Sequence, residues 1–299
     1  MPQPPANGEA AERLIRQYEQ ARDRLAERYA EVLSAPNRQV ETARLRELIA
    51  VHDGTITELK TASRQWLAGE LPGLHQAGAE LSADLVGTSF RWTQEHRADV
   101  QQMAERSWDD VAARLREVDS TTRKVLRREL QDATRATLLE SRTAVQAGRD
   151  LAKVAREAGL HTVTYSNGAK HSIADWADSA VRQVTAETYN RGSVEQCRTD
   201  GIEHVEYLDG PGCCVGPGHK NGPEANGLVV PLDEVVWTSH PRCTRSCAPA
   251  PEATPLPNLD RTPGPSMEPE PAPEPAAPAR KARAAREPRT ERTARKARA

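Results

Sequence analysis

Six side chains of the kinds that commonly bind metal ions lie within residues 213–247. They are Cys213, Cys214, His219, His240, Cys243 and Cys247. Zn²⁺ prefers four thiolate or imidazole ligands in a tetrahedron, and two short groups of ligands separated by a loop suit that geometry. A small module with few apolar residues gains folding free energy from such a site. The spacing therefore predicts a structural Zn²⁺ site.

A tetrahedral site needs only four ligands, so several sets are open. The expected set is His219, His240, Cys243 and one of Cys213 or Cys214, with Cys247 or Asp209 as substitutes. In the alternative interpretation the thiols are small buried hydrophobic groups, and His240-Pro241 is an ordinary turn. Cys197 lies alone in a helical segment and fits that alternative.

Enzymatic interpretations of this region are weaker. His204-Val205-Glu206 with Pro241-Arg242-Cys243 is similar to the zinc deaminase signature H-x-E and P-C-x-x-C, but an arginine interrupts the P-C pair and the cysteines are spaced by three residues. A cysteine protease built on Cys213 or Cys214 with His240 needs only spatial proximity. The sequence has no G-x-S-x-G elbow, P-loop or dinucleotide-binding glycine motif. We therefore expect no catalytic residues.

Residues 10–159 have the apolar periodicity of long helices with densely charged flanks. The breaks predict four helices: the first ends at Pro36-Asn37, the second is interrupted at Leu71-Pro72-Gly73, the third begins near Thr88 or Thr93, and the fourth is capped by Asp119-Ser120-Thr121. Such stripes either pack within one subunit or dock on other subunits. We expect an extended helical arm or bundle, preceded by a flexible N-terminus at residues 1–9.

Residues 160–250 predict a small α+β module. A hairpin is expected around Ser166-Asn167-Gly168, followed by a helix from Ile173 to about Arg198 with Ser172 as its N-cap. Further strands are predicted at His204–Leu208 and, after a loop rich in glycine and asparagine, at 227–230 and 235–237. The fold class is therefore mainly α, with a small α+β module and a disordered C-terminal tail.

The module resembles the MuF-like minor head proteins of tailed bacteriophages. The resemblance rests on an ordered set of motifs: Thr185-Ala-Glu187-Thr-Tyr-Asn190-Arg-Gly192, then Gly201, then Tyr207-Leu-Asp-Gly-Pro-Gly-Cys213, then Ser239-His-Pro-Arg-Cys243-Thr-Arg245. Thr244 stands where the family commonly has a second arginine or cysteine, Cys214 and Cys247 are additional, and the C-terminal tail lies outside the family pattern.

This resemblance implies a low-copy structural component of the virion. Such a protein acts in head morphogenesis, is made in the host bacterial cytoplasm, and associates with the portal, and with the major capsid protein or scaffold, in the capsid interior or at the portal vertex. Trp176, Asn190 and Asp209 are the residues that we expect to maintain the module, together with His240 and Cys243.

The composition limits the size of the hydrophobic core and the compartments in which the protein is expected. Only 37% of the 299 residues are hydrophobic and 4% aromatic, with a mean hydropathy of -0.71, which is little material for one large core. No apolar leader or membrane-spanning run is visible, so we expect neither secretion nor a membrane partner. The five cysteines then indicate a reducing compartment, where clustered thiols more often bind metal than form disulfides.

The C-terminal region has a strongly biased composition. Residues 251–279 form a Pro- and Glu-rich linker that we expect to be disordered. In residues 280–299, nine basic side chains against Glu287 and Glu291 give +7, which leaves -9 for the rest of a chain of net charge -2. The basic residues are Arg280, Lys281, Arg283, Arg286, Arg289, Arg292, Arg295, Lys296 and Arg298. We expect this tail to bind DNA without sequence preference; a purely solubilising tail is the alternative.

The sequence thus favours a non-enzymatic minor capsid protein of a tailed phage. Two alternatives from other classes stay open. The Cys/His cluster is compatible with a capsid maturation protease, and the cluster together with the basic tail is compatible with a zinc-containing DNA-binding regulatory protein, although no recognition helix is visible near the cluster.

Overall fold

The computed structural model describes residues 8–139, 161–165, 168–208, 226–237, 243 and 245–251. The four helices of this part are α1 (Glu9–Leu33), α2 (Arg38–Val86), α3 (Gln94–Leu139) and α4 (Ile173–Thr199). Its five short strands are β1 (Thr162–Thr164), β2 (Lys170–Ser172), β3 (His204–Leu208), β4 (Val229–Pro231) and β5 (Ser246–Pro249). The predicted mainly α fold with a few small strands is confirmed.

Local capping signals place the ends of several helices. The Asn37 side chain accepts a hydrogen bond from the Val40 amide at the start of α2, and the Thr93 hydroxyl accepts one from the His96 amide at the start of α3. The Ser172 hydroxyl does the same for α4, where it accepts from the Asp175 amide. A side-chain oxygen at this position satisfies an amide that the helix leaves unpaired. These three predicted starts are confirmed.

Two predicted helix breaks are wrong. Helix α2 runs through Pro72 to Val86, because Leu67 and Leu71 beside the proline are both buried and their packing offsets the cost of about 3 kcal/mol for a proline inside a helix. Helix α3 likewise runs through Asp119. The Asp119 carboxylate accepts a hydrogen bond from Arg123 one turn later, so it is engaged along the helix and does not cap a new one.

One hydrophobic core joins all four helices and the first strand. It includes Tyr18 of α1, Trp66 of α2, Met103 of α3, Val163 of β1 and Trp176 of α4. Buried residues on both sides of the predicted boundary at residue 160 therefore pack into the same core. A second, smaller cluster joins α1, α2 and α3 through Leu25, Val32, Leu45, Leu48 and Leu126.

Helices α2 and α4 approach each other closely at two glycines. A Cβ atom on Gly78 would lie 2.8 Å from the carbonyl carbon of Tyr189, and one on Gly192 would lie 2.8 Å from the carbonyl carbon of His75. Both distances are below the separation of about 3.5–4.0 Å at which carbon atoms attract. Only glycine therefore allows this crossing, which we call the Gly78–Gly192 crossing.

The two sheets are small and antiparallel. Strands β1 and β2 form the predicted hairpin, with Thr162 opposite Ser172. Strand β3 lies between β4 and β5, with Glu206 opposite Val229 and Tyr207 opposite Cys247. None of the described helices combines the length and apolar character needed to cross a bilayer.

The strand predicted at 235–237 is wrong, and β5 was not predicted. The backbone of residues 235–237 is held by side chains instead of a strand neighbour: the Val236 amide donates to the Tyr207 hydroxyl, and the Trp237 carbonyl accepts from Asn190. Strand β5 takes the free edge of β3.

Candidate functional site

Most of the predicted metal and DNA ligands lie outside the described residues. These are Asp209, Cys213, Cys214, His219, His240 and the basic residues from Arg280 to Arg298. The structure does describe Trp176, Asn190, Cys243 and Cys247. The candidate site therefore consists of the described elements that contact the chain just before and just after residues 238–242.

Asn190 is the centre of this arrangement. Its side chain is fully buried on α4. The amide nitrogen donates to the backbone carbonyls of Arg245, at 2.8 Å, and Trp237, at 3.4 Å, and the amide oxygen accepts from the backbone amide of Cys247 at 3.1 Å. We call Asn190 with these three backbone partners the Asn190 clamp. It fixes the chain on both sides of the predicted His240-Pro-x-Cys243 motif to one helix.

Two serines extend the Asn190 clamp to helix α2. The Ser193 hydroxyl lies one turn from Asn190 and donates to the Cys247 carbonyl at 2.8 Å. The Ser82 hydroxyl of α2 lies 2.8 Å from the Ser193 hydroxyl, and all of these groups are buried. The close approach of the two helices at Gly78 and Gly192 lets this short polar chain connect them directly. The position of β5 thus depends on the Gly78–Gly192 crossing.

Arg245 is a fully buried arginine beside the Asn190 clamp. Its guanidinium carbon lies 4.1 Å from the centre of the Tyr207 ring, and one terminal nitrogen lies 3.4 Å from the Val236 carbonyl oxygen. A buried charge is costly unless other groups replace its hydration, and an aromatic face and a carbonyl both do so. Arg245 therefore ties β3 to the segment leading to residue 237.

An ionic network connects α3, α4 and Trp237. Arg191 contacts the Asp99 carboxylate at 2.7 Å and the Glu187 carboxylate at 3.3 Å, and its guanidinium lies 4.8 Å from the centre of the Trp237 ring. Burial acts to raise the pKa of Asp99, but the His75 ring nitrogen 3.3 Å away and the charge of Arg191 outweigh it and hold that pKa below its usual value. Asp99 is therefore ionised at neutral pH and holds Arg191 in place.

The described cysteines lie in buried positions. Cys197 and Cys247 belong to a cluster with Val194, Val205 and Tyr207, and Cys243 is also buried. Burial raises the pKa of the Cys197 thiol, which disfavours the nucleophilic thiolate. The interpretation of Cys197 as a small buried hydrophobic residue is confirmed.

Trp176 also has a structural position. It is buried in the main core, where its ring meets that of Tyr18 edge-on at a centroid distance of 6.4 Å. Because Trp176 lies at the start of α4 and Tyr18 lies in α1, this ring contact joins the two helices.

A second polar cluster was missed in the sequence. The side chains of His52, Asp53 and Asp119 place one possible ligand atom each within 4.8 Å of one another. Arg123 lies 2.6 Å from the Asp119 carboxylate and 3.0 Å from that of Asp53, so its guanidinium already supplies the positive charge between them. We therefore assign no metal ion to this cluster. In the sequence, the one indication of this cluster is His52, a polar residue on the apolar face of the second predicted helix.

The arrangement around Asn190 joins the chain on either side of residues 238–242 to helix α4. Within the motif Thr185-Ala-Glu187-Thr-Tyr-Asn190-Arg-Gly192 on α4, Glu187 contacts Arg106 of α3, Asn190 bonds to the backbone at β5, and Gly192 lies against the backbone of α2. Several partners were not recognisable in the sequence, because Arg245, Asp99 and Ser82 lie far from the motif along the chain. Comparisons with protein families, with curated proteins and with solved structures found no match for this chain.

Proposed function

We propose that this chain is a structural minor head protein of a tailed bacteriophage. In this proposal the helical body contacts the portal and the capsid or scaffold, and helix α4 holds a Cys/His loop in a fixed position. The protein acts by binding, without a catalytic step.

The Asn190 clamp is the observation that carries the proposal. The resemblance to MuF-like proteins rests on residues of α4 and on the segment that ends at Arg245. Glu187, Asn190 and Gly192 are all buried, and each serves to join α4 to another part of the chain. A motif used in this way supports a shared scaffold and not a shared reaction.

A structural Zn²⁺ ion is part of the proposal. His219, His240 and Cys243 with Cys213 or Cys214 would hold it, and thiolate and imidazole donors are those that Zn²⁺ prefers. The ion would tie the loop to the strand that Asn190 anchors. Its role is folding stability.

The basic tail extends the proposal to packaged DNA. Nine Lys and Arg side chains in residues 280–299 supply phosphate contacts without base readout. The Pro- and Glu-rich residues 251–279 act as the spacer between this tail and the module.

The proposal is tested by deleting the gene from the genome that encodes it and complementing with variants. We expect the wild type and Arg182→Ala, an exposed control on α4, to restore DNA-filled heads. Asn190→Ala should fail, and its protein should be less stable in denaturation experiments. Normal heads in the absence of the gene would refute the proposal.

Cys243→Ser separates the structural role from a protease. A structural role predicts that this variant loses stability and head formation together. A variant that folds as stably as the wild type, enters particles and leaves capsid proteins unprocessed would instead establish catalysis.

A further inference from the structure

Two histidines from distant parts of the chain face each other where the hairpin meets the helical body. His52 is fully buried on α2, and His161 is the residue before β1. Their ring centres lie 5.8 Å apart, and the Nδ1 atom of each is buried without a hydrogen-bond partner among the described residues. Two neutral imidazoles can pack in this way, whereas two imidazolium ions would repel each other.

The backbone of His161 is in an unusual conformation. Its φ is 58°, the only positive φ among the described residues that are not glycine. The left-handed region is unfavourable for a residue that carries a Cβ atom, so surrounding contacts must hold His161 there. The His161 carbonyl accepts from the Ile173 amide at the start of α4, which makes the same residue a junction between hairpin and helix.

Other charged groups surround the pair from each packed element. The Nε2 atom of His52 lies 3.1 Å from the Asp119 carboxylate of α3, which also binds Arg123, and Asp53 is its neighbour on α2. On the hairpin side, the Thr164 amide donates to Glu117 of α3 at 2.9 Å. Asp119 and Asp53 favour a proton on His52, while Arg123 and His161 oppose it.

We propose that His52 and His161 form an acid-sensitive latch that releases the β1–β2 hairpin from helices α2 and α3 when the pair is protonated. Protonation would place like charges against each other in a buried contact, and opening would rehydrate both rings and relax the His161 backbone. The release is local, because the helices keep their own contacts at the Gly78–Gly192 crossing.

The direction of the pH dependence follows from proton binding. Burial and the neighbouring His52 lower the pKa of His161 from 6.5 to about 4, and burial lowers the pKa of His52. The open form binds more protons between these values, so the closed form is favoured above pH 6.5 and is lost as the pH falls towards 4. From the titration of His161 alone, the equilibrium constant for opening of the hairpin rises about 60-fold when the pH falls from 7 to 4.5.

Hydrogen exchange of the full chain, read by mass spectrometry and corrected for intrinsic exchange rates, tests the latch. We expect peptides covering 161–172 to lose protection by about this factor between pH 7 and 4.5, while peptides from α2 and α4 stay protected. In His161→Asn the hairpin should lose most of this pH dependence, because asparagine tolerates a positive φ and does not titrate. His171→Asn, at an exposed histidine of β2 whose ring packs edge-on against Tyr165, is the matched control and should keep the pH dependence of the wild type.

Three results would overturn the latch. Hairpin protection in the wild type that is independent of pH would do so, as would the same pH dependence in His161→Asn. Loss of protection in α2 and α4 to the same extent as in the hairpin would show global acid unfolding. If His161→Asn folds poorly, His52→Gln provides the same comparison, because its side chain can still donate to Asp119 without titrating.

Discussion

Gly192→Ala tests whether the close approach of α2 and α4 holds the structure together. The new Cβ atom would lie 2.8 Å from the carbonyl carbon of His75 and 3.1 Å from the Ala79 amide nitrogen. Carbon atoms attract at about 3.5–4.0 Å, so the helices must separate by roughly 1 Å. Backbone atoms on both sides cannot rotate away as a side chain could.

The expected cost combines overpacking with lost hydrogen bonds. Inserting a methyl group into a tight contact typically costs about 1–3 kcal/mol. Moving α4 by this distance also strains the Ser82–Ser193 contact and the bond from Ser193 to Cys247. We therefore expect Gly192→Ala to lower the free energy of unfolding by about 3 kcal/mol, and Gly78→Ala to do the same.

Chemical denaturation followed by circular dichroism measures this effect, with Gly69→Ala as the matched control. Gly69 lies in α2 with nothing within 4 Å of its hypothetical Cβ, so alanine there should stabilise the helix by about 0.5–1 kcal/mol. If Gly192→Ala were as stable as Gly69→Ala, the crossing would not be tight and the argument for the position of β5 would fail.

Three further predictions concern the site and the tail. Asn190→Ala should lower the free energy of unfolding by about 3 kcal/mol in denaturation experiments, because it removes the hydrogen bonds to the buried Cys247 amide and Arg245 carbonyl; a loss below that of Arg182→Ala would contradict the Asn190 clamp. A chelator should remove one Zn²⁺ per chain and lower the melting temperature of the protein. The Cys243→Ser variant should contain no Zn²⁺ when purified, whereas Cys197→Ala should still bind one ion per chain. Wild-type protein without stoichiometric metal would refute the zinc proposal. The logarithm of the binding constant of the full chain for duplex DNA should fall with the logarithm of the salt concentration, with a slope of up to about -8 for nine phosphate contacts. A chain ending at residue 251 should lose most of this salt dependence. Equal slopes for the two chains would exclude the tail as the DNA-binding element.

The sequence predicted the structure best where the signal is local. Asn37, Thr93 and Ser172 each bond to an amide three residues ahead, so helix starts are readable from neighbouring residues. Pro72 and Asp119 misled the prediction because contacts in the folded chain override their local preference: Leu67 and Leu71 near the proline are buried, and Arg123 and His52 engage the Asp119 carboxylate.

The site was predictable only in part, for the same physical reason. Asn190 stood out through its motif, but its bonds go to backbone groups about fifty residues away that no side-chain pattern marks. Strand β5 is a four-residue segment whose pairing depends on β3 and on Ser193. His161 lies next to the predicted hairpin, but its contact with His52 arises only when α2 and the hairpin pack together.

Quantitative mass spectrometry of purified virions tests the central claim most directly. Peptides from residues 10–250 and from the tail would be compared with those of the portal and the major capsid protein, in particles produced from the genome that encodes the chain. A minor head protein predicts both sets of peptides at a copy number near that of the portal and far below that of the capsid protein. Complete absence of the chain from DNA-filled particles would contradict the account.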